Sequence, residues 1–548
     1  MNHLKRVVCF LLAVVMILSL VACAGKETTD EPAQTTADTA DTADTAAAPA
    51  DSEGSDSDTA GPKKGGSITI IDPAEVTSML WYNIQTFDDK FQSMLTVYET
   101  LFRCNEDGTI SGYLADSYET DQEAKTYTIK LKEGIKFHDG SELTAEVAAW
   151  CLEEYRQNGI KSAAFFSNID SFEVIDDYTF RINLSNWDAT IPYSLARECG
   201  IMASKQAFDT QGVEYLESHP VGTGPFMFES MTRDVEKVFV KFADYWQGEP
   251  NLDSVVIKIY ADSLVSQAAM QNGDADVLYC TDYDLVNTLT AAGCEVNLGL
   301  PSQIAMLCFN CTDEENNPFY DVKVRQAICH AIDKDALLTG IYSGFGTVTN
   351  QFATEGSVFY NEDVQGYSYD VELAKQMLAE AGYPDGFDTT LIVRNDTMQI
   401  NCVTAIQSML AKIGVNVSID IQDSGDFSAN LTGWHTGMFF HTASLPVDVV
   451  NQMGSIFRQG LSGIVLGLSS MIRSDELNER IVAAITAGTA EESQANLRSA
   501  QPILIDELCD LDPIVTVYQP VITSAKLHDH GINAVEYTAG TLYKAWVE

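Results

Sequence analysis

The chain of 548 residues is 45% hydrophobic and carries 79 acidic against 32 basic side chains, a formal net charge of −47 at pH 7. This length and apolar content allow two large lobes or several ordinary domains. The negative charge argues against nucleic-acid binding, because phosphates would be repelled rather than neutralised.

The first predicted element is a short apolar segment at the amino terminus. Two basic residues precede an apolar run over residues 7–20, which is too short for a comfortable membrane span and has the layout of a signal peptide. The run closes on LVAC at residues 20–23, which resembles the lipobox of bacterial lipoproteins. This resemblance implies that residues 1–22 are a signal peptide and that Cys23 carries a diacylglycerol. The alternative is an ordinary secretory peptide with a chance cysteine.

Residues 23–65 are predicted to be a disordered, acidic tether. The tract TTADTADTADTAAAPADSEGSDSD is of low complexity and has no large apolar side chains. Such a segment cannot bury enough surface to fold and should stay extended. The ordered chain is predicted to begin in GGSITIIDPAEV, where Ile68, Ile70 and Ile71 indicate a first strand.

The rest of the chain shows the periodicities of an α/β protein. In TYTIKLKEG, Tyr127, Ile129 and Leu131 share one face of a strand. In the second half, Asp370 is placed to cap the helix VELAKQMLAEAG, and Gly382 to end it. AIQSMLAKIG then leads through Gly414 into the alternating strand VNVSIDI. Helix, glycine and strand in this order form the repeating unit of an α/β lobe.

Nine motifs in order carry a family resemblance. They read VYETLFR, GYLADSYE, KTYTIKLKEGIKFHDGSELTAE, HPVGTGPFMFE, ADYWQGEPNLDSVVIKI, NGDADVLY, FYDVKVRQAICHAIDKDAL, YDVELAKQMLAEAGYPDGF and MLAKIGVNVSI. Together they resemble the family 5 solute-binding proteins of ABC importers, and segments such as GMFFHTAS are similar to the nickel-binding branch. The resemblance implies a periplasmic-binding-protein-like fold of two α/β lobes. The first lobe would span residues 66–295 with an inserted subdomain, and the second 296–512, with a return to the first over 513–548.

The resemblance also implies a function. A ligand would be trapped in the cleft between the lobes and passed to an ABC permease and, through it, to an ATPase. The protein would be a monomer, lipid-anchored on the extracytoplasmic face of the cell membrane, with a Gram-positive surface favoured over a periplasm. An extracellular sensory or adhesion lipoprotein of the same fold is the alternative of another class.

Enzyme and metal-centre motifs are absent from the sequence. There is neither a G-x-S-x-G elbow nor an H-E-x-x-H zinc helix. Cys308 and Cys311 form a C-x-x-C, but side chains three apart on a strand point to opposite faces and do not readily converge. Ten cysteines remain outside Cys9 and Cys23, and we expect many of them to be reduced packing residues, because a chain of this size does not need disulfide staples.

Two arginines are predicted to bind ligand carboxylates. Arg197 matches the position from which the nickel-binding branch grips a carboxylate of its metal chelate, and a guanidinium offers a fixed fork for that group. The alternative is a structural salt bridge. Arg458 falls where that branch has a metal-contacting histidine, which favours a chelate richer in carboxylates. A metal would therefore arrive as part of the ligand, and no resident cofactor is expected.

Dipeptide or oligopeptide binding is the alternative ligand class. Peptide-binding members usually hold the ligand ammonium with an aspartate, and the matching residue here is Ser444. Without that charge the ammonium lacks an obvious ion partner, and the alternative partners are Asp448 and Glu99. His441 is predicted to line the cleft and to be the candidate for metal contact, with packing at a strand end as the alternative. Further candidates for ligand contact are the aromatic side chains Tyr98, Trp434 and Phe226, for which packing in the core is the alternative.

Overall fold

The computed structural model describes residues 61–76, 78–83, 96–160, 165–280, 282–312, 317–444, 449–450, 453–454, 470–532 and 542–548. All of them lie in the second of the two units into which the chain divides, Ala60–Glu548. The predicted signal peptide, Cys23 and almost all of the tether lie outside the described residues. So do Arg458, Asp448 and the side chain of Ser444.

The strands of the described residues are short and distributed along the whole chain. They are β1 Ser67–Asp72, β2 Glu99–Thr100, β3 Phe102–Cys104, β4 Ile110–Gly112, β5 Ala115–Asp121, β6 Thr126–Leu131, β7 Ile169–Val174, β8 Thr179–Leu184, β9 Ile201–Met202, β10 Phe226–Thr232, β11 Glu236–Lys241, β12 Ser254–Ile259, β13 Val277–Tyr279, β14 Glu295–Asn297, β15 Gln303–Phe309, β16 Gly346–Val348, β17 Phe387–Arg394, β18 Val415–Gln422, β19 Met438–Ser444, β20 Leu511–Val517, β21 Val521–Thr523, β22 Leu527–His528 and β23 Trp546–Val547.

The helices of the described residues alternate with these strands. The α-helices are α1 Ala145–Asn158, α2 Ile191–Leu195, α3 Lys205–Gln211, α4 Val213–Leu216, α5 Ser263–Asn272, α6 Tyr283–Ala291, α7 Val322–His330, α8 Lys334–Gly340, α9 Val371–Glu380, α10 Thr397–Leu410, α11 Ser424–Asn430, α12 Asp475–Ile485 and α13 Ala490–Pro502. Shorter 3₁₀ turns are Trp81–Asn83, Glu198–Gly200, Pro318–Tyr320 and Ala411–Ile413, and Ile503–Leu508 is a π-helical turn.

Local sequence signals explain several of these boundaries. The Asp370 carboxylate accepts a hydrogen bond from the Leu373 amide at 2.9 Å and so caps α9 at the predicted place. Gly414 adopts a φ of 80°, the left-handed conformation that lets the chain turn from the helix into β18. In β1 and β6 the predicted apolar faces are buried, as period-two alternation requires.

Two large sheets form the two lobes. The first has the strand order β10-β11-β12-β1-β13-β21-β14, and the second β16-β20-β15-β19-β17-β18. A smaller sheet, β5-β6-β8-β7, packs with α1 and is inserted between β1 and β10. We call residues 115–190 the small-sheet subdomain. The two-lobed α/β fold with an inserted subdomain is therefore confirmed.

The chain passes between the two large sheets, within the described residues, at 298–302 and again at 518–520. The predicted boundaries need correction at both places. The boundary at 295/296 cuts β14, which pairs with β21 in the first sheet, and the boundary at 512/513 cuts β20, which pairs with β15 in the second. A continuous paired strand moves as one body, so the lobes are divided at the crossing segments instead.

Candidate functional site

The parallel register of two strands brings a histidine and an arginine together in the second lobe, just beyond the carboxyl end of their paired stretch. β17 and β19 run parallel, with Ile392 opposite Phe439. Two residues further along both strands, on the same face, come Arg394 and His441. Ligands of open α/β sheets bind outside the carboxyl ends of such strands. This edge of the sheet is therefore the candidate site, and we call the two side chains the Arg394–His441 pair.

His441 is held neutral in this position. Burial lowers the pKa of His441 to about 4, and the positive charge of Arg394 contributes in the same direction. The imidazole lies near the rings of Phe427 and Phe439, with centroids 6.0 and 6.2 Å away. A neutral imidazole has a free lone pair, so at neutral pH it is able to accept a hydrogen bond or bind a metal ion.

In contrast to the buried imidazole of His441, the side chain of Arg394 is exposed at the end of β17. One guanidinium nitrogen donates to the Ser424 hydroxyl at 3.4 Å. Sequence reasoning did not select this residue. An arginine at a strand end has no distinguishing local signal, and only the parallel register of β17 and β19 shows that it neighbours His441.

The predicted aromatic contacts are packed in the core. Trp434 and Phe226 are completely buried, and Tyr98 is 1% exposed and donates its hydroxyl to the Met79 carbonyl at 3.2 Å. Trp434 stacks on Phe439 with centroids 4.8 Å apart, on the face of β19 that carries His441. These rings thus have a packing role, and their contact with a ligand stays a prediction.

Arg197 is already engaged within the first lobe. Its Nε lies 3.5 Å from Oε2 of Glu198, which is fully buried, and its guanidinium lies 5.1 Å from the centre of the Phe165 ring. The guanidinium side chain is itself only 13% exposed. This geometry matches the salt-bridge alternative. A role in holding a ligand carboxylate stays a prediction for Arg197, as it does for Arg458.

Glu99 does not substitute for the missing ammonium-binding aspartate. Its carboxylate is 1% exposed. It accepts hydrogen bonds of 2.5 to 2.9 Å from four donors, which are the hydroxyls of Tyr113, Tyr245 and Thr223 and the indole of Trp246. Each carboxylate oxygen accepts two hydrogen bonds and the residue is almost completely buried, so the carboxylate is not available to bind a solute. Glu99 therefore has a structural role, as the common acceptor of a hydrogen-bond network in the first lobe.

The VGTGPF turn also has a structural role. A Cβ on Gly222 would lie 2.2 Å from the carbonyl oxygen of Val97, so only glycine allows this approach of two backbone segments. His138 holds the turn: Nδ1 accepts from the Gly222 amide at 3.4 Å, and Nε2 donates to the Gly224 carbonyl at 2.8 Å. Burial lowers the pKa of His138 to about 4. The ring is therefore a backbone clamp.

The cysteines of the described residues are thiols. Cys308 and Cys311 fall in different apolar clusters, on opposite faces of the sheet, as expected for a pair three residues apart. None of these ten forms a disulfide within the described residues; nine are buried and Cys294 is half-buried. Burial raises the pKa of both Cys151 and Cys402 to about 12, so little reactive thiolate is present at neutral pH.

Thiol mapping tests this interpretation. In the native protein we expect a maleimide reagent to label Cys294 well before the other nine cysteines, because only Cys294 has substantial exposure. After unfolding in guanidinium without reductant, all ten should be labelled, as read by peptide mass spectrometry. A disulfide-linked peptide pair among them would contradict the interpretation.

Comparison with known proteins agrees with the fold. Residues 109–451 match the bacterial extracellular solute-binding proteins, family 5 middle. The chain is 33% identical over 375 residues to the glutathione-binding protein GsiB of Pectobacterium atrosepticum, covering 67% of this chain and 70% of that one.

Two solved structures share the architecture. The periplasmic binding protein DppA of Helicobacter pylori, in complex with the peptide STSA, is 25% identical with a TM-score of 0.71, covering 89% of this chain and 99% of that one. NikA of Brucella suis, in complex with Fe(III)-EDTA, is 20% identical with a TM-score of 0.77, covering 88% and 100%.

The chain belongs to the family 5 extracellular solute-binding proteins of ABC importers. It is an extracytoplasmic binding protein that serves an ABC permease, and not an enzyme. Among the described residues, none of the helices combines the length and the apolar character that crossing a membrane would need.

Proposed function

We propose that the ligand is a small solute rich in carboxylates, of which a metal chelate is the preferred example. The observation that carries this proposal is the Arg394–His441 pair, just beyond the parallel-paired stretch of β17 and β19. The exposed guanidinium offers a fork for a carboxylate, and the neutral imidazole offers a lone pair to a metal ion or to a ligand proton. The metal is cargo, so no resident cofactor is part of the proposal.

The other predicted contacts extend the same chemistry. Arg197, and Arg458 outside the described residues, would supply further positive charge for carboxylates. Ser444 takes the place of the ammonium-binding aspartate, and Glu99 is saturated by its four donors. This combination of groups favours anionic ligands over the ammonium end of a peptide.

A peptide ligand is the second candidate. It is favoured by the relative named as a glutathione-binding protein, with which this chain shares 33% identity. Glutathione is itself a small peptide with two carboxylates, so the Arg394–His441 pair suits it as well. The two candidates differ in what His441 contributes, since only a chelate needs a metal ligand.

Ligand assays on matched variants separate the candidates. Nickel with L-histidine, iron with EDTA, reduced glutathione and a dipeptide library are compared by thermal shift and calorimetry. We expect Arg394→Ala to weaken binding of the stabilising solute about 10- to 100-fold, the loss of a hydrogen bond to a charged group. For a chelate, His441→Ala should weaken binding further, whereas for glutathione it should matter less.

Arg181→Ala is the control for these variants, because Arg181 is an exposed arginine paired with Glu173 on the small sheet. It should leave affinity unchanged. Unchanged affinity in Arg394→Ala would contradict the carboxylate assignment, and stabilisation by dipeptides alone would reverse the order of the two candidates.

The same proposal includes the anchor. Residues 1–22 would be removed, Cys23 lipidated, and residues 23–65 would tether a monomeric receptor to a Gram-positive surface beside its permease. Mass spectrometry of the mature amino-terminal peptide tests this directly, since it should begin with a diacylated cysteine. An unmodified Cys23 would overturn the anchor without affecting the ligand proposal.

A further inference from the structure

The end of one helix in the second lobe is completed by the first lobe. α12 ends at Ile485, and the last carbonyls of a helix have no partner within it. Here the carbonyls of Ile485, Thr486 and Ala487 accept hydrogen bonds from the small-sheet subdomain. The donors are the Ala189 amide at 2.7 Å, the Gln122 side-chain amide at 3.1 Å and the Trp187 indole at 2.7 Å, in that order.

Two of the donors, the Trp187 indole and the Ala189 amide, are held by their own surroundings. The Trp187 ring stacks on Tyr127 with centroids 4.9 Å apart and planes within 6° of parallel. The Tyr127 hydroxyl donates to the Asp188 carbonyl at 2.9 Å, and the Asp188 carboxylate accepts from the amide and hydroxyl of Thr190. Preorganised donors lose little freedom when the contact forms, so more of each hydrogen bond is retained as net stabilisation.

The acceptor side is shaped to receive them. A Cβ on Gly488 would lie 2.7 Å from Oε1 of Gln122, so the absent side chain makes room for the glutamine. A further hydrogen bond joins the lobes, in which the Val358 amide of the second lobe donates to the Asp107 carbonyl of the first at 3.1 Å. These contacts lie far in sequence from the crossing segments 298–302 and 518–520, about which the lobes would rotate.

We propose that the hydrogen bonds from Gln122, Trp187 and Ala189 to the end of α12 form a latch between the two lobes, which sets how often the cleft opens. In the open form water would satisfy the same carbonyls, so the latch forms and breaks at small net cost. A contact of this kind suits a receptor that must both close and release. The latch rests on the binding-protein role of the family and is independent of the ligand class proposed above.

Hydrogen exchange of the Ala189 amide, without any ligand, tests the latch. The variant Trp187→Phe keeps a stacking ring but removes the indole donor, and we expect Ala189 to exchange about 2- to 12-fold faster, the range for one lost hydrogen bond. The Ile182 amide in β8 should not change, because it lies within the small sheet. Solution scattering should show a larger radius of gyration in the variant.

Trp150→Phe is the matched control, since it makes the same exchange of residues on α1. A second variant, Gln122→Ala, removes a donor from an exposed side chain and should speed Ala189 exchange without affecting folding. An Ala189 amide that exchanges equally fast in all four proteins, or that is unprotected in the wild type, would overturn the latch. Because no ligand is used, this failure is distinct from failure of the ligand proposal.

Discussion

Replacing Glu99 by alanine is expected to lower the free energy of unfolding by about 4 kcal/mol, because three buried donors and one half-buried donor lose their acceptor at once. The Tyr113 and Tyr245 hydroxyls share Oε1, and the Thr223 hydroxyl and the Trp246 indole share Oε2. Each unsatisfied buried donor costs about 1 to 3 kcal/mol, and water entering the cavity would recover part of the sum. Urea unfolding at pH 7, followed by circular dichroism, measures the loss.

Two further variants show whether the network is responsible. Glu99→Gln keeps one acceptor oxygen but presents an NH₂ group to two donors, so we expect a loss between those of alanine and wild type. Glu119→Ala removes an exposed carboxylate from β5 and should change stability by no more than about 0.5 kcal/mol. A loss below about 1 kcal/mol for Glu99→Ala would mean that the four donors find other partners.

Glu99 also shows why the sequence predicted the fold better than the site. Strands, helix caps and ordered family motifs are local signals, so β1, β6 and the cap at Asp370 could be predicted from nearby residues. The role of Glu99 depends on donors from positions 113, 223, 245 and 246, which only folding brings together. Without these partners, the sequence offers Glu99 only as a candidate substitute for the ammonium-binding aspartate.

The candidate site gives a second example of the same limit. His441 is predicted to line the cleft because GMFFHTAS resembles the strand that leads into the cleft in the nickel-binding branch. Arg394 lies 47 positions earlier by chain numbering and becomes its neighbour only through the register of β17 with β19. Trp434 is a candidate cleft aromatic in the sequence, but its side chain is completely buried in the core. Aromatic residues are predicted poorly because the core and a cleft wall recruit the same side chains.

A second large effect on stability is expected at Asp510. This residue directly precedes β20 in the core of the second lobe and is fully buried. Burial raises the pKa of Asp510 to about 7, against the opposing influence of the Arg325 guanidinium. Arg325 gives its own hydrogen bonds to backbone carbonyls, including those of Cys509 and Leu508. The guanidinium therefore does not need the Asp510 carboxylate as an acceptor.

The raised pKa makes the native state prefer the protonated acid. Between pH 4 and 7 the folded protein binds a proton at Asp510 that the unfolded chain does not, so this contribution to stability is present below pH 4 and is lost as the pH rises through 7. We expect Asp510→Asn, which cannot ionise, to gain up to about 4 kcal/mol relative to wild type between pH 4 and 8. Paired urea titrations across that range measure the difference.

The difference between the two proteins isolates Asp510 from the histidines. His138 and His441 have lowered pKa values and also change stability below pH 6.5, but they do so equally in both proteins and cancel. Asp512→Asn is the contrasting control, because Asp512 pairs with the Lys334 ammonium at 2.6 Å. Losing that buried partner should destabilise the protein at pH 7 by about 3 to 5 kcal/mol. A stability difference between Asp510→Asn and wild type that stays constant with pH would show that Asp510 is ionised throughout.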